Sequence, residues 1–134
     1  MTRTFLDAGV LIAASRGTGP SYRKAMEILD DGERSFIASP FVRLEVLPKA
    51  LFHQRHSEAA FYESYFEAVD LWVGPDRALL EEAGRVATRF GLAALDALHV
   101  ASAMLAGADE LVTSERPTRP IHRVSGLSVR SIHL

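Results

Sequence analysis

The sequence predicts an α/β sandwich with a mainly parallel central sheet, and three observations carry that prediction. Short apolar runs suited to strands alternate with helical stretches longer than ten residues, the order that builds parallel sheets through helical crossovers. Glycines close three of the six helical stretches, at Gly32, Gly91 and Gly107. The chain has 134 residues and is 48% apolar, which suits one domain spanning 1–134 with a core of ordinary size.

Taken in order, "TFLD" reads as a strand ending at Asp7, and "AGVLIAAS" as the helix that follows it. After the loop "GTGP", "SYRKAMEILDDGE" is a helix with an apolar face of Tyr22, Ala25, Met26 and Leu29. "RSFIAS" is a second strand. Ser39 is an expected N-cap before Pro40, opening the helix "PFVRLEVLPKALFHQ", which Pro48 is expected to kink after Glu45. "SEAAFYESYFEAV" is a helix, "DLWVG" a brief strand, and "DRALLEEAGRVATRFG" and "LDALHVASAMLAG" are two further helices. "DELVTS" and "LSVRSIHL" supply the last two strands.

Composition narrows the function classes. The absence of cysteine excludes thiolate metal sites and disulfides and fits a reducing cytoplasm. No run has the length and apolarity of a membrane span and no signal-type leader opens the chain, so a soluble protein without a membrane partner is expected. Fifteen basic and 17 acidic residues give a net charge of −2, which does not by itself announce a nucleic-acid binder. The distribution is uneven, however. From Arg116 onward there are four arginines, two histidines and no carboxylate.

Asp7 is a bare carboxylate inside an apolar run, and burying one costs several kcal/mol unless donors or cations meet it. In parallel sheets functional residues gather where strands end and helices begin, and four acids fall in that zone. Asp7 ends the first strand, Glu45 lies among Leu44, Val46 and Leu47, Asp96 opens a helix rich in small residues, and Glu115 follows a late strand. Singly, each has an ordinary explanation as a helix cap, a solvated side chain or a turn residue. Together they would repel one another, and the usual remedy is a divalent cation with oxygen ligands, Mg²⁺ or Mn²⁺, of the kind that assists phosphodiester hydrolysis.

The stretches "FLDAGVLIAA", "SPFVRLEVLPKA", "LDALHVASA" and "ADELVTSE", in that order across nearly the whole chain, resemble the PIN domains, in particular the single-domain, VapC-like ribonucleases. The resemblance implies a three-layer α/β/α sandwich with a parallel sheet of about five strands and acidic residues that bind Mg²⁺ or Mn²⁺ for RNA cleavage. Carried over by position, it makes Asp7, Glu45 and Asp96 metal ligands and catalytic residues. Glu115 stands where the family most often has Asp, in a Thr-x-Asp motif that here reads Thr113-Ser114-Glu115. Gly9 stands where Asn or Ser is commoner, removing a polar group. The resemblance further implies a toxin of a toxin–antitoxin pair, a homodimer and a small antitoxin partner.

Supporting roles follow. Ser39 and Thr113 sit beside proposed ligands and are expected to orient a carboxylate or water. Arg116, Arg119 and Arg123 are the candidate contacts to RNA phosphates. His99, one turn from Asp96, is expected to be a core histidine held by a local hydrogen bond, with metal ligation the lesser option. His53 and His56 are expected in solvent. The stripe Phe61, Tyr62, Tyr65 and Phe66 is a core face, part of which is a candidate dimer contact. Two rivals stand beside the nuclease: a non-catalytic nucleic-acid- or protein-binding module of the same fold, and another Mg²⁺ phosphohydrolase, against which the missing Asp-x-Asp pair after the first strand argues.

Overall fold

The computed structural model describes residues 1–133. In chain order the elements are β1 (Thr2–Leu6), α1 (Ala8–Ser15), α2 (Pro20–Leu29), β2 (Arg34–Ala38), α3 (Pro40–Phe52), α4 (His56–Ala68), β3 (Leu71–Trp72), α5 (Arg77–Phe90), α6 (Ala94–Leu105), β4 (Glu110–Thr113) and β5 (Ser128–Ser131), with a 3₁₀ turn at Pro120–Arg123 before β5. The five strands form one sheet in the order β3-β2-β1-β4-β5. Every pairing is parallel, so the sheet is wholly and not mainly so. Leu134, the last residue of the expected strand "LSVRSIHL", lies outside the described residues.

This order places β1 at the centre and the functional edge beside it. From β1 the chain runs by α1 and α2 to β2 and then by α3 and α4 to β3, always toward the same side of the sheet. It returns through α5 and α6 to β4, on the other side of β1. With right-handed crossovers, helices α1 to α4 cover one face and α5 and α6 the other, giving the three-layer α/β/α arrangement. β1 and β4 are neighbours whose outgoing connections diverge, and such a switch point opens a crevice at the carboxyl ends of the strands. Asp7 follows β1 and Thr113 ends β4, one on each side of it.

The core explains the elements. Phe5, Leu6, Leu111 and Val112 are buried in the central strands, against Val10 and Leu11 of α1 on one side and Val100, Ala101 and Ala103 of α6 on the other. The small residues of α6 let its backbone approach the sheet closely. Tyr62, Tyr65 and Phe66 are buried and Phe61 partly so. The aromatic stripe is therefore core, and exposed apolar side chains lie elsewhere, among them Leu44, Leu51 and Phe52 on α3, which are 65%, 52% and 81% exposed.

Several local expectations change. α2 ends at Leu29 instead of continuing to Gly32, because Asp31 forms its own turn, accepting from the Glu33 N–H at 2.9 Å and pairing with Arg34 at 2.8 Å. Its buried side chains are Ala25 and Ile28, while Tyr22, Met26 and Leu29 are only partly covered. α3 runs unbroken through Pro48. Pro48 and Leu44, whose carbonyl the missing N–H would have met, are both exposed, so water can serve that carbonyl. Ser39 occupies the N-cap of α3, but its hydroxyl makes no capping bond and is buried without a hydrogen-bond partner among the described residues.

A second buried acid, unremarked in the sequence, ties the opposite edge of the sheet. Glu110 opens β4 and is 5% exposed. It accepts from the Thr4 hydroxyl at 2.8 Å, from Arg34 at 2.9 Å and from Arg130 at 2.8 Å, linking β1, β2, β4 and β5. Burial pushes its pKa up, yet these three donors outweigh burial and hold it below the usual value.

Candidate active site

Asp7 is both a helix cap and a buried acid. Its backbone leaves β1 in extended conformation and its Oδ1 accepts from the Val10 N–H at 3.2 Å, satisfying one of the free donors at the start of α1. Its Oδ2 accepts from the Thr113 hydroxyl across the switch point. That hydroxyl in turn accepts from the Glu115 N–H at 3.0 Å, so one threonine fixes both Asp7 and the turn that carries Glu115. Burial pushes the Asp7 pKa up to about 6, against the pull of Thr113, His99 and the backbone N–H groups of Val10 and Ser114.

Asp96 is not a cap. The N-cap of α6 is Ala93, and Asp96 sits in the first turn. Its pKa is raised by burial first and then by the negative charges of Glu115 and Glu45, while His99 and Arg119 pull it down. Asp96 thus lies within electrostatic reach of two of the other three acids.

His99 is buried as expected, but its hydrogen-bond partner is not local. It is 3% exposed, and its Nε2 contacts Glu45 Oε1 on α3, 54 residues away, instead of a local group. Its Nδ1 is buried without a partner among the described residues, and its ring lies 5.9 Å from that of Phe5. His99 therefore connects Glu45 with the surroundings of Asp7 and Asp96. Its place one turn after Asp96 was visible in the sequence; its partner on another helix was not.

The four acids face one region but do not form a closed cage. Among the described residues no three acidic or histidine side chains meet within coordinating range of one point. Glu45 is turned to His99, Asp7 to Thr113, and Glu115 to Arg119 at 3.4 Å. The donor set is nonetheless all oxygen and crowded with negative charge at Asp96, which in chemistry suits a hard divalent cation. Glu45 and Glu115 are long and partly exposed, so rotation of their side chains is the change that would close the group.

The expected phosphate contacts divide. Arg119 is engaged with Glu115, and Arg123 donates to the Phe90 carbonyl at 3.4 Å, fastening the segment after β4 to the end of α5. Arg116 is exposed. His53 and His56 are exposed as expected.

A wholly parallel α/β/α domain with carboxylates gathered at the switch point beside its first strand is the class that this fold and site define. The PIN domain model matches residues 4–119, and the chain belongs to the PIN domain family. Similar solved structures cover nearly all of it at low identity. VapBC2 from Rickettsia felis, bound to a DNA fragment from its promoter, is 15% identical with a TM-score of 0.74, covering 97% of this chain and 98% of that one. A toxin–antitoxin complex from Klebsiella pneumoniae is 18% identical with a TM-score of 0.73 and the same coverage. PAE2754 from Pyrobaculum aerophilum is 21% identical with a TM-score of 0.60, covering 96% and 90%. No curated protein sequence matches the chain significantly. No helix among the described residues is long and apolar enough to cross a membrane.

Proposed function

We propose that this PIN domain is a metal-dependent ribonuclease that hydrolyses RNA phosphodiester bonds and acts as the toxin of a toxin–antitoxin pair. The observation that carries the reading is the placement of Asp7 at the end of β1, beside Thr113 at the end of β4, with the pKa of Asp96 raised by burial and by the charges of Glu115 and Glu45. Asp7, Glu45 and Asp96 would hold Mg²⁺ or Mn²⁺, with Glu115 completing the set. Bound there, the cation would supply charge stabilisation to the phosphate and lower the pKa of the attacking water. Thr113 keeps Asp7 oriented, and His99 holds Glu45. A small antitoxin and a second copy of the chain are the partners that go with this reading. The exposed Leu44, Leu51 and Phe52 on α3 support a protein contact there.

Cleavage of single-stranded RNA in Mn²⁺ tests the proposal. Asp96→Asn is expected to lower the rate by roughly a thousandfold or more and to weaken Mn²⁺ binding in calorimetry, while circular dichroism stays native. A variant that cleaves like the parent would remove Asp96 from the chemistry. Glu115 is one methylene longer than Asp, which strains the strict octahedral geometry of Mg²⁺ more than that of Mn²⁺. Mn²⁺ should therefore support the faster reaction, and Glu115→Asp should narrow the difference. Unchanged Mn²⁺ stoichiometry and affinity in Glu115→Ala would leave a set of three acids.

A second reading is a binding module that has lost strong metal affinity. It is favoured by the absence, among the described residues, of three side chains converging at coordinating range. The same Mn²⁺ titration separates the two.

A further inference from the structure

A concavity of about 370 Å³ lies directly beside Asp7, walled by Gly9, Arg16, Thr18, Tyr22, Ser114 and His133 among others. Its volume is within the range of small-ligand sites. Three features make it more than a surface dent. A Cβ on Gly9 would stand 1.7 Å from the Ser114 Oγ and 3.5 Å from Asp7 Oδ1, so the hydroxyl of residue 114 occupies the space a side chain at residue 9 would need. That hydroxyl has no hydrogen-bond partner among the described residues and lines the cavity. Arg16, at the end of α1, lines it as an exposed guanidinium without an ion pair among the described residues.

Arg16 also lines a second concavity, which holds Glu45, Lys49 and Arg55. The two hollows share Ile12 and Arg16, so a groove passes over α1 with Asp7 and Gly9 beside one half and Glu45 in the other. Arg16 serves both hollows and Lys49 lines the second, where Arg55 is paired with Glu58 at 3.9 Å. A chain of regularly spaced negative charges laid along it would pass the acidic cluster, and a partly open hollow with Tyr22 and hydroxyl groups in its wall suits a nucleotide unit.

We infer that the hollow beside Asp7 is a subsite for one nucleotide of a single-stranded RNA flanking the point of cleavage, with Arg16 and the Ser114 hydroxyl taking its phosphate. The inference rests on the ribonuclease reading. Gly9 is then not a lost polar group but the vacancy in side-chain volume that lets Ser114 present one from the opposite strand end. The phosphate path runs over α1, through Arg16 and toward Lys49, and not along Arg119 and Arg123, whose guanidinium groups are engaged within the fold.

The test measures binding of a short fluorescein-labelled single-stranded RNA to the Asp96→Asn protein in EDTA, across a salt series. Adding Arg16→Gln should weaken binding roughly tenfold and reduce the slope of log affinity against log salt by about one. Ser114→Ala should weaken it about fivefold, the loss of one hydrogen bond to a charged group. Gly9→Ser should also weaken it, and Ser114→Gly added to Gly9→Ser should restore affinity, because residues 9 and 114 then exchange the hydroxyl within the same space. Arg85→Gln on α5, outside the groove, is the control that should bind unchanged. Parent-like affinity and slope in both Arg16→Gln and Ser114→Ala, with native circular dichroism, would overturn the subsite. So would Arg16-dependent binding of polyglutamate in place of RNA, which would make the occupant an acidic polypeptide. Failure of RNA binding with cleavage intact overturns this inference alone; the ribonuclease reading falls only if the cleavage assay is silent as well.

Discussion

Asp7→Asn is expected to abolish RNA cleavage and, in the presence of a chelator at neutral pH, to raise the melting temperature by several degrees. Asparagine keeps its one side-chain oxygen for the Val10 N–H and turns its amide N–H to the Thr113 hydroxyl, which then accepts instead of donating, so cap and cross-strand contact survive in shape. The buried charge is what disappears. A carboxyl pKa raised from 3.8 to about 6 means that the folded protein holds Asp7 ionised at pH 7 against its own preference. The corresponding destabilisation is of order 2–3 kcal/mol, at about 1.4 kcal/mol per pH unit. Because the folded pKa lies above the unfolded one, the cost is fully present above about pH 6 and fades as pH falls toward 4. The stability gap between variant and parent should therefore narrow in that window. A gap that stays constant from pH 8 to pH 4 would show that Asp7 carries no such strain. Activity and stability moving in opposite directions is the signature of a carboxylate retained for chemistry.

Glu110→Ala should act in the opposite sense and more heavily. Removing this carboxylate strands the buried Thr4 hydroxyl and takes from the largely buried Arg34 one of its two carboxylate partners, while the exposed Arg130 turns to water. Breaking a buried, hydrogen-bonded ion pair by deleting one partner costs about 3–5 kcal/mol. The melting temperature should fall by roughly 10 °C or more. Glu110→Gln, which keeps an acceptor for Thr4 but loses both ion pairs, should lose less. The sign with pH is the reverse of that at Asp7. The Glu110 pKa is held below its ordinary value, so its contribution is present above about pH 4.5 and is lost as the solution is acidified through the folded pKa. The difference between parent and Glu110→Ala, measured by urea unfolding, should shrink in acid. An alanine variant as stable as the parent at pH 7 would mean that the arginines find water equally well.

These two acids show what was legible in the sequence and what was not. The helix Ala8–Ser15 and the closing glycine at 91 could be read directly, because caps, periodicity and breakers act over a few residues. Asp7 stood out because it interrupts an apolar run. Glu110 did not, since nothing local marks it within the expected strand "DELVTS", and only the side-by-side placement of Thr4, Arg34 and Arg130 from distant segments makes it a buried hub. The same limit hid the partner of His99, which lies on another helix, and the rivalry of Gly9 and Ser114 for one space. Ser39 met the local rule for a cap in identity and backbone position, yet its hydroxyl is directed to no capping bond. Local chemistry names the candidates; contacts across the sheet assign them.

The contact between Asp7 and Thr113 spans 106 residues of chain. β1 is made well before β4, which pairs with it and carries Thr113, Ser114 and Glu115 to its far end. A nascent chain that stops short of β4 has its first strand flanked by β2 alone and Asp7 without its hydroxyl partner. Local helices can form early, but this pairing must wait for the late segment. A site divided in this way is assembled only once the later of its two strands has been made. The strand order that builds the crevice thus also delays it until β4 is in place.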